Sequence, residues 1–231
     1  MSFIVAIDGP AGTGKGTITK LVAEELGLIN IDTGAMYRCV TLACLRNNIS
    51  VDDISGIENI LENIDIKFKR ENGEIITILN NDDVSKEIRT PVVDENVAKY
   101  AAIKCVRDKM TKLQQEMKKL GNIIMEGRDI GTTIFPDANV KIYLDASIEE
   151  RANRRYKQNL EKGINESYEE VLENIKQRHI LETTRKISPL RKADDAILVD
   201  STNLTIEEVK QEVLKIIKEK TGDYNNGKGD C

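Results

Sequence analysis

The stretch Gly9-Pro10-Ala11-Gly12-Thr13-Gly14-Lys15-Gly16-Thr17 sits between two strongly patterned segments. Before it, Phe3 to Ile7 is a continuous β-branched run, which predicts a parallel strand buried on both faces. After it, Ile18, Leu21, Val22 and Leu26 recur at helical spacing, and Gly27 predicts the C-cap. Strand, glycine-rich loop and helix in direct succession leave few folds open. Glycines let the backbone curl so that successive N–H groups point inward, and the helix that follows adds the positive end of its dipole. Lys15 supplies a mobile full charge. Together they predict a cradle for a polyphosphate. The pattern GxxxxGK[ST] fails at one residue, because Gly16 stands where a magnesium-binding hydroxyl is expected. Either Thr17 takes the metal, or water and phosphate hold most of its shell.

The rest of the chain alternates strands and helices. Leu28 to Ile31 reads as a second strand and Ala35 to Arg46 as a helix. From about 64 to 88 the pattern changes: Ile64, Ile66 and Phe68 alternate with polar residues, Glu71 to Glu74 is a turn signal, Ile75 to Leu79 a further strand, and Asn80 to Asp83 another turn. This predicts a small antiparallel insert. Thr90 and Pro91 predict a helix start, with the helix running to Leu120 and stopping at Gly121. Asn122 to Met125, Val140 to Leu144 and Ala196 to Val199 are three more buried strands. Ser147 with Glu150, Ser167 with Glu170, and Thr205 with Glu208 match the capping box. The final helix buries Ile206, Val209, Val213 and Ile217, and the tail from Gly222 to Cys231 is expected to fray. Such an order predicts an α/β fold around a five-stranded parallel sheet, with ligands at the carboxyl ends of its strands.

Composition excludes several classes. The 231 residues carry 34 Lys+Arg against 39 Asp+Glu, a net charge of −5, which argues against a general grip on nucleic acid. No apolar run approaches ~18 residues, so no spanning helix and no membrane partner is expected. The N-terminus lacks a basic leader and cleavage site, which predicts a cytoplasmic protein. Cys39, Cys44, Cys105 and Cys231 form no CxxC pair and read as reduced thiols, and a single histidine excludes a His-rich metal site.

Further along, the motifs become specific. Gly9 to Thr17 resembles the loop of P-loop nucleoside monophosphate kinases. Asp32-Thr-Gly-Ala-Met-Tyr-Arg38, Glu87-Ile-Arg-Thr90, Glu126-Gly-Arg-Asp-Ile-Gly-Thr132, Phe135-Pro-Asp-Ala138, and Arg178 with Arg185 and Ser188-Pro-Leu190 together resemble bacterial cytidylate kinases, from about residue 3 to 219. The resemblance implies a three-layer P-loop kinase domain over 1–221, with core segments 1–62 and 88–221, a monophosphate-binding insert at about 63–87 and a helical lid at about 149–163. It implies that ATP lies on Gly9 to Thr17 with Mg2+, and that CMP or dCMP is phosphorylated by a monomer. Thr33, Tyr37 and Arg38 would face the acceptor, with Arg38 on its phosphate and Arg89 joining from the insert. Arg107 and Asp129 would read the cytosine, and Arg128 would hold the acceptor phosphate. Arg178, Glu182 and Arg185 would grip ribose and phosphates. Lys15, Arg128, Arg178, Arg154 and Arg155 would carry the catalysis. The chain departs from the family pattern at Ala98, usually Ser, and at His179 and Glu182, each usually Asp.

The residue types suit the chemistry. Phosphoryl transfer asks a protein mainly to position two anions and neutralise charge on the moving group. Guanidiniums bind phosphate in bidentate fashion and keep their proton. An Asp accepts from the exocyclic amine of cytosine. Glu126, ending a strand, suits the orientation of magnesium-bound water. Other acceptors on the same fold, such as UMP, shikimate or dephospho-CoA, stay open, as does a nucleotide-dependent switch without acceptor turnover.

Overall fold

The computed structural model describes residues 2–71 and 74–222. The centre of the turn at Glu71 to Glu74 and the expected frayed tail beyond Gly222 lie outside the described residues. The chain divides into two compact units, one of residues up to Ile31 together with those from Gln115 onward, the other of Asp32–Gln114.

The first unit is built on a five-stranded parallel sheet. β1 (Ile4–Asp8) lies at its centre, between β6 (Ile123–Gly127) and β7 (Val140–Asp145), with β2 (Ile29–Asp32) and β8 (Ile197–Asp200) at the edges. Asp8 is opposite Gly127 on one side and Tyr143 on the other, so the carboxyl ends of β1 and β6 are level and β7 runs two residues further. β1 reads as unbroken apolar sequence because both its faces are covered. Val5 and Ile7 pack with Ile18 and Val22 of α1 (Lys15–Leu26) and with Val213 and Ile217 of α8 (Ile206–Thr221). Ile4 and Ala6 face the other way, onto Ile123, Met125, Ile130 and Phe135. Gly27 adopts the left-handed conformation, φ 64°, and caps α1 as its sequence predicts.

α6 (Ile148–Glu161) and α7 (Tyr168–Thr184) pair through Ala152, Val171 and Ile175, with Tyr156 and Tyr168 edge to face at 6.1 Å. The boxes at Ser167 and Thr205 are complete and reciprocal. That at Ser147 is half formed: the hydroxyl accepts from the Glu150 amide, but the Glu150 carboxylate turns to Asn153 and Arg154 instead.

The second unit holds α2 (Thr33–Arg46), α3 (Ile54–Asn63) and an antiparallel sheet of β3 (Ile66–Glu71), β4 (Glu74–Leu79) and β5 (Asp82–Asp83). Several features differ from expectation, the helix α3 among them. The region of the Asn80–Asp83 turn contributes a short third strand. The helix expected from 91 to 120 is broken into α4 (Pro91–Tyr100), α5 (Lys104–Glu116) and a 3₁₀ turn, Met117–Leu120. At the break, Ala102 and Ile103 donate to Lys99 and Tyr100, a tightened i→i+3 pattern, while the Tyr100 hydroxyl donates to the Ile49 carbonyl at 2.6 Å. No Gly or Pro marks this place. Thr90 stands at the N-cap, but its hydroxyl donates to the Glu87 carbonyl rather than capping α4. Cys39 and Cys44 are buried free thiols, and burial pushes them up to about 12 and about 11.

Gly9 has φ 153°, and a Cβ added there would lie 2.0 Å from the Leu144 carbonyl oxygen. Gly14, φ 88°, would meet nothing within 4 Å. Gly9→Ala should therefore cost at least about 3 kcal/mol and Gly14→Ala about 1 kcal/mol. Urea denaturation of the two variants checks this, and equal losses would contradict the close approach.

Candidate active site

The glycine loop runs from the end of β1 to the start of α1. Gly14, in the left-handed conformation, is the N-cap of α1 and offers no side chain to its first turn. The N–H groups of that turn are thus left for a ligand. Lys15 is buried and folds back into the loop, its Nζ donating to the Pro10 carbonyl at 2.6 Å and to Thr13 Oγ1 at 3.3 Å. Burial, and then the nearby Arg128 guanidinium, push its ammonium down, against the pull of Glu126, Glu182 and Asp8. An entering polyanion reverses that balance.

Two arginines of α6 brace the loop from behind. Arg151 is buried, with Nε on the Ala146 carbonyl at 3.1 Å and Nη1 on the Ala11 carbonyl at 3.3 Å. Arg154 donates to the Thr13 carbonyl at 3.2 Å and to the Ser201 carbonyl at 2.5 Å. Arg155 donates instead to Gln158 on its own helix. Ser201, which no motif marks, joins Asp145 to the loop through its amide and hydroxyl.

Gly16 lies close to Glu126. A Cβ at Gly16 would lie 3.0 Å from Glu126 Oε1, a tight approach to the buried carboxylate at the end of β6. Thr17 follows, exposed, on the first turn of α1. One carboxylate and one hydroxyl beside a phosphate cradle match the donors of Mg2+, which keeps several waters and takes few protein ligands. Among the described residues there is no cluster of three or more His, Cys, Asp or Glu able to hold a metal by itself, and no helix is long and apolar enough to cross a membrane.

Asp8 ends β1 and has no counterpart in the sequence-based expectations. Its Oδ1 accepts from the Ile130 amide at 2.8 Å and its Oδ2 from the Gly131 amide at 2.7 Å. Burial pushes the carboxyl up to about 6, against the two amides.

Arg128, Asp129, Arg178, Glu182 and Arg185 come together in this unit. Glu182, 5 % exposed, accepts from Arg128 Nε at 2.8 Å and from Arg178 Nε at 2.9 Å. Burial alone would raise its carboxyl, but the two guanidiniums outweigh that and hold it far below the carboxylate range. Arg185 donates to the Ser188 carbonyl through Nε at 2.8 Å and Nη2 at 2.6 Å, and its Nη2 is 3.7 Å from Asp129 Oδ1.

The remaining expected residues belong to the second unit. Asp32 caps α2 by accepting from the Ala35 amide at 3.0 Å, which fixes the turn carrying buried Thr33. Arg38 donates to the Ile88 carbonyl at 3.1 Å and pairs with Asp94. Half-exposed Arg89 pairs with Asp32 at 3.0 Å. Arg107 is buried with its guanidinium 5.0 Å from the centroid of the Tyr37 ring, a cation–π stack. Sequence did not flag Asp94, because only the fold brings it to Arg38.

A parallel sheet whose central strand feeds a glycine loop, a buried lysine and an open helix N-terminus defines a P-loop kinase fold. The family model for cytidylate kinase matches residues 5–219. A cytidylate kinase of Fusobacterium nucleatum is 50% identical over 94% of this chain and 98% of its own, and one of Carboxydothermus hydrogenoformans 52% identical over 94% and 97%. The chain belongs to the cytidylate kinase family, and is a phosphotransferase. Among solved structures, an uncharacterized protein from Eubacterium ventriosum shares the fold, with a TM-score of 0.51 and 9% identity over 95% of this chain and 99% of its own.

The Glu182 bridge generates a stability prediction with a definite sign. A carboxylate held below its unfolded value stabilises the fold above about pH 4.5, and that stabilisation is lost as pH falls from there toward its depressed folded value. Glu182→Gln should cost about 3 kcal/mol at pH 7 and progressively less below pH 4.5. Chemical denaturation at pH 7 and pH 3.5 tests it; a loss independent of pH would refute the ionic account.

Proposed function

We propose that the chain transfers the γ-phosphoryl group of ATP to CMP and dCMP, giving ADP with CDP or dCDP. The observation that carries this reading is the Arg128–Glu182–Arg178 assembly, two guanidiniums held ready by one buried carboxylate in the same unit as the phosphate cradle. Gly9 to Thr17 take the donor phosphates, and Lys15 leaves the Pro10 carbonyl for the β- and γ-phosphates. Arg128 is assigned to the acceptor phosphate, as is Arg38, with Arg89 contributing from the second unit. Glu182, Arg178 and Arg185 orient ribose and phosphates.

The base is read by Asp129 and Arg107. A carboxylate accepts from the cytosine amine and repels the carbonyl that uracil presents at the same place. Tyr37 lies under the Arg107 guanidinium and keeps that side chain flat, and Thr33 is assigned to face the acceptor.

In the transfer an acceptor phosphate oxygen forms the new bond to the γ-phosphorus while the bond to the β,γ-bridging oxygen breaks. No side-chain nucleophile is needed. The protein's part is alignment and charge neutralisation by groups already fixed before substrate arrives. Arg151 and Arg154 keep the loop rigid through its own carbonyls; Arg155, part-buried on α6, closes with the lid segment 149–163. Thr17 and Glu126 would hold Mg2+ and its waters, and the ion, when bound, spreads the negative charge of the phosphates. The reading requires neither nucleic acid nor membrane, and takes the enzyme as a cytoplasmic monomer.

Coupled ADP release with CMP, dCMP, UMP, AMP, GMP and shikimate tests the assignment. CMP and dCMP should give the highest kcat/KM, at least tenfold above AMP; faster turnover of AMP, or nucleotide binding with no acceptor turned over, would overturn it. Lys15→Ala should lower kcat by about 10²-fold or more with the fold retained by circular dichroism. A variant of near-normal rate would remove the cradle role.

A further inference from the structure

The turn that carries Arg128 and Asp129 is capped by a residue from elsewhere in the chain. Ile130–Ile134 is a π-helical turn: Ile134 and Phe135 donate to the carbonyls of Asp129 and Ile130, five residues back. Asp129 stands at its N-cap. An aspartate there ordinarily folds over its own helix start and accepts from the second or third amide. Asp129 makes no such bond. The amides at the start of the turn, Ile130 and Gly131, are taken instead by Asp8, one on each carboxylate oxygen, at 2.8 and 2.7 Å. Gly131 is fitted tightly into this arrangement. A Cβ there would lie 3.2 Å from Lys141 Cδ and 3.4 Å from Asp8 Oδ2. Lys141 in turn is pinned by Asp195 and by the Pro136 carbonyl. The Asp129 carboxylate is left pointing to Arg185.

We infer that Asp8 is a positioning residue for acceptor recognition: by capping the Ile130–Ile134 turn from β1, it keeps Asp129 from capping its own turn and holds that carboxylate where it meets the base. This rests on the reading of Asp129 as the cytosine reader. Without the Asp8 carboxylate, the orphan amides of Ile130 and Gly131 draw in the Asp129 side chain, and selection for the amine is lost. The donor cradle is affected less, because the backbone at Asp8 stays paired with Gly127 and Tyr143 on either side.

Two measurements test it. Asp8→Ala and Asp8→Asn are compared with the unaltered enzyme for kcat/KM on CMP and on UMP and for the dissociation constant of a non-hydrolysable ATP analogue. The CMP-to-UMP preference should fall at least tenfold in Asp8→Ala and less in Asp8→Asn, which keeps one acceptor oxygen, while analogue binding changes less than twofold. A general loss of rate with the preference unchanged, or equal losses for donor and acceptor, would overturn the inference and leave Asp8 a merely structural residue. Amide hydrogen exchange on the unaltered protein keeps the test independent of whether the variants fold. The Ile130 and Gly131 amides should be protected to the level of the β1 amides, and exchange at the rate of exposed loops would overturn the capping. Failure of the unaltered enzyme to phosphorylate CMP would instead overturn the acceptor reading, with the cap still judged by exchange.

Discussion

The contact on which this architecture depends is the approach of the chain at Gly9 to the backbone of Leu144. Only a residue without Cβ can pass there, and passing there is what lets β1 end in the middle of the sheet and turn directly into the phosphate loop. The neighbouring ends of β6, β1 and β7 then present Glu126, Asp8 and Asp145 at the carboxyl end of the sheet. Each carboxylate is placed differently: Glu126 beside Gly16, Asp8 on two amides of the following turn, and Asp145 on the Ala146 amide, while the Asp145 main-chain carbonyl accepts from Ser201.

The charged residues follow a common logic. An unpaired buried charge is costly, so an arginine proposed to take a phosphate needs a partner of its own in the free protein. In this protein each is given an internal acceptor: Glu182 for Arg128 and Arg178, Asp94 and a carbonyl for Arg38, Asp32 for Arg89, a main-chain carbonyl for Arg185. These partners hold the side chains in place and cover the charge without removing it.

Much of the fold is legible because its signals are local. The β-branched run before the glycine loop, Gly27 after α1, and Ser167 and Thr205 three residues before their glutamates each depend on neighbours within one turn. The break at Ala101 to Ile103 is invisible locally, since the sequence there favours helix and the anchor is the Tyr100 bond to Ile49, 51 residues away. α3 was readable in principle from Asp53 and the spacing of Ile57 and Leu61, though Gly56 in its first turn weakens the helical signal. The candidate site divides in the same way. The loop residues and the arginines stand out by type and motif, whereas Asp8 and Ser201 acquire meaning only through partners more than 50 residues away.

The fold-back of Lys15 onto its own loop has a further consequence. Its ammonium is buried and already holds two oxygen contacts, from Pro10 and Thr13. A small monovalent anion that draws the ammonium out must make up for both contacts through one atom. On the proposed reading a chain of linked phosphates meets the ammonium and the loop amides at once, so the tethered lysine would act as a latch that favours multivalent ligands over simple salts.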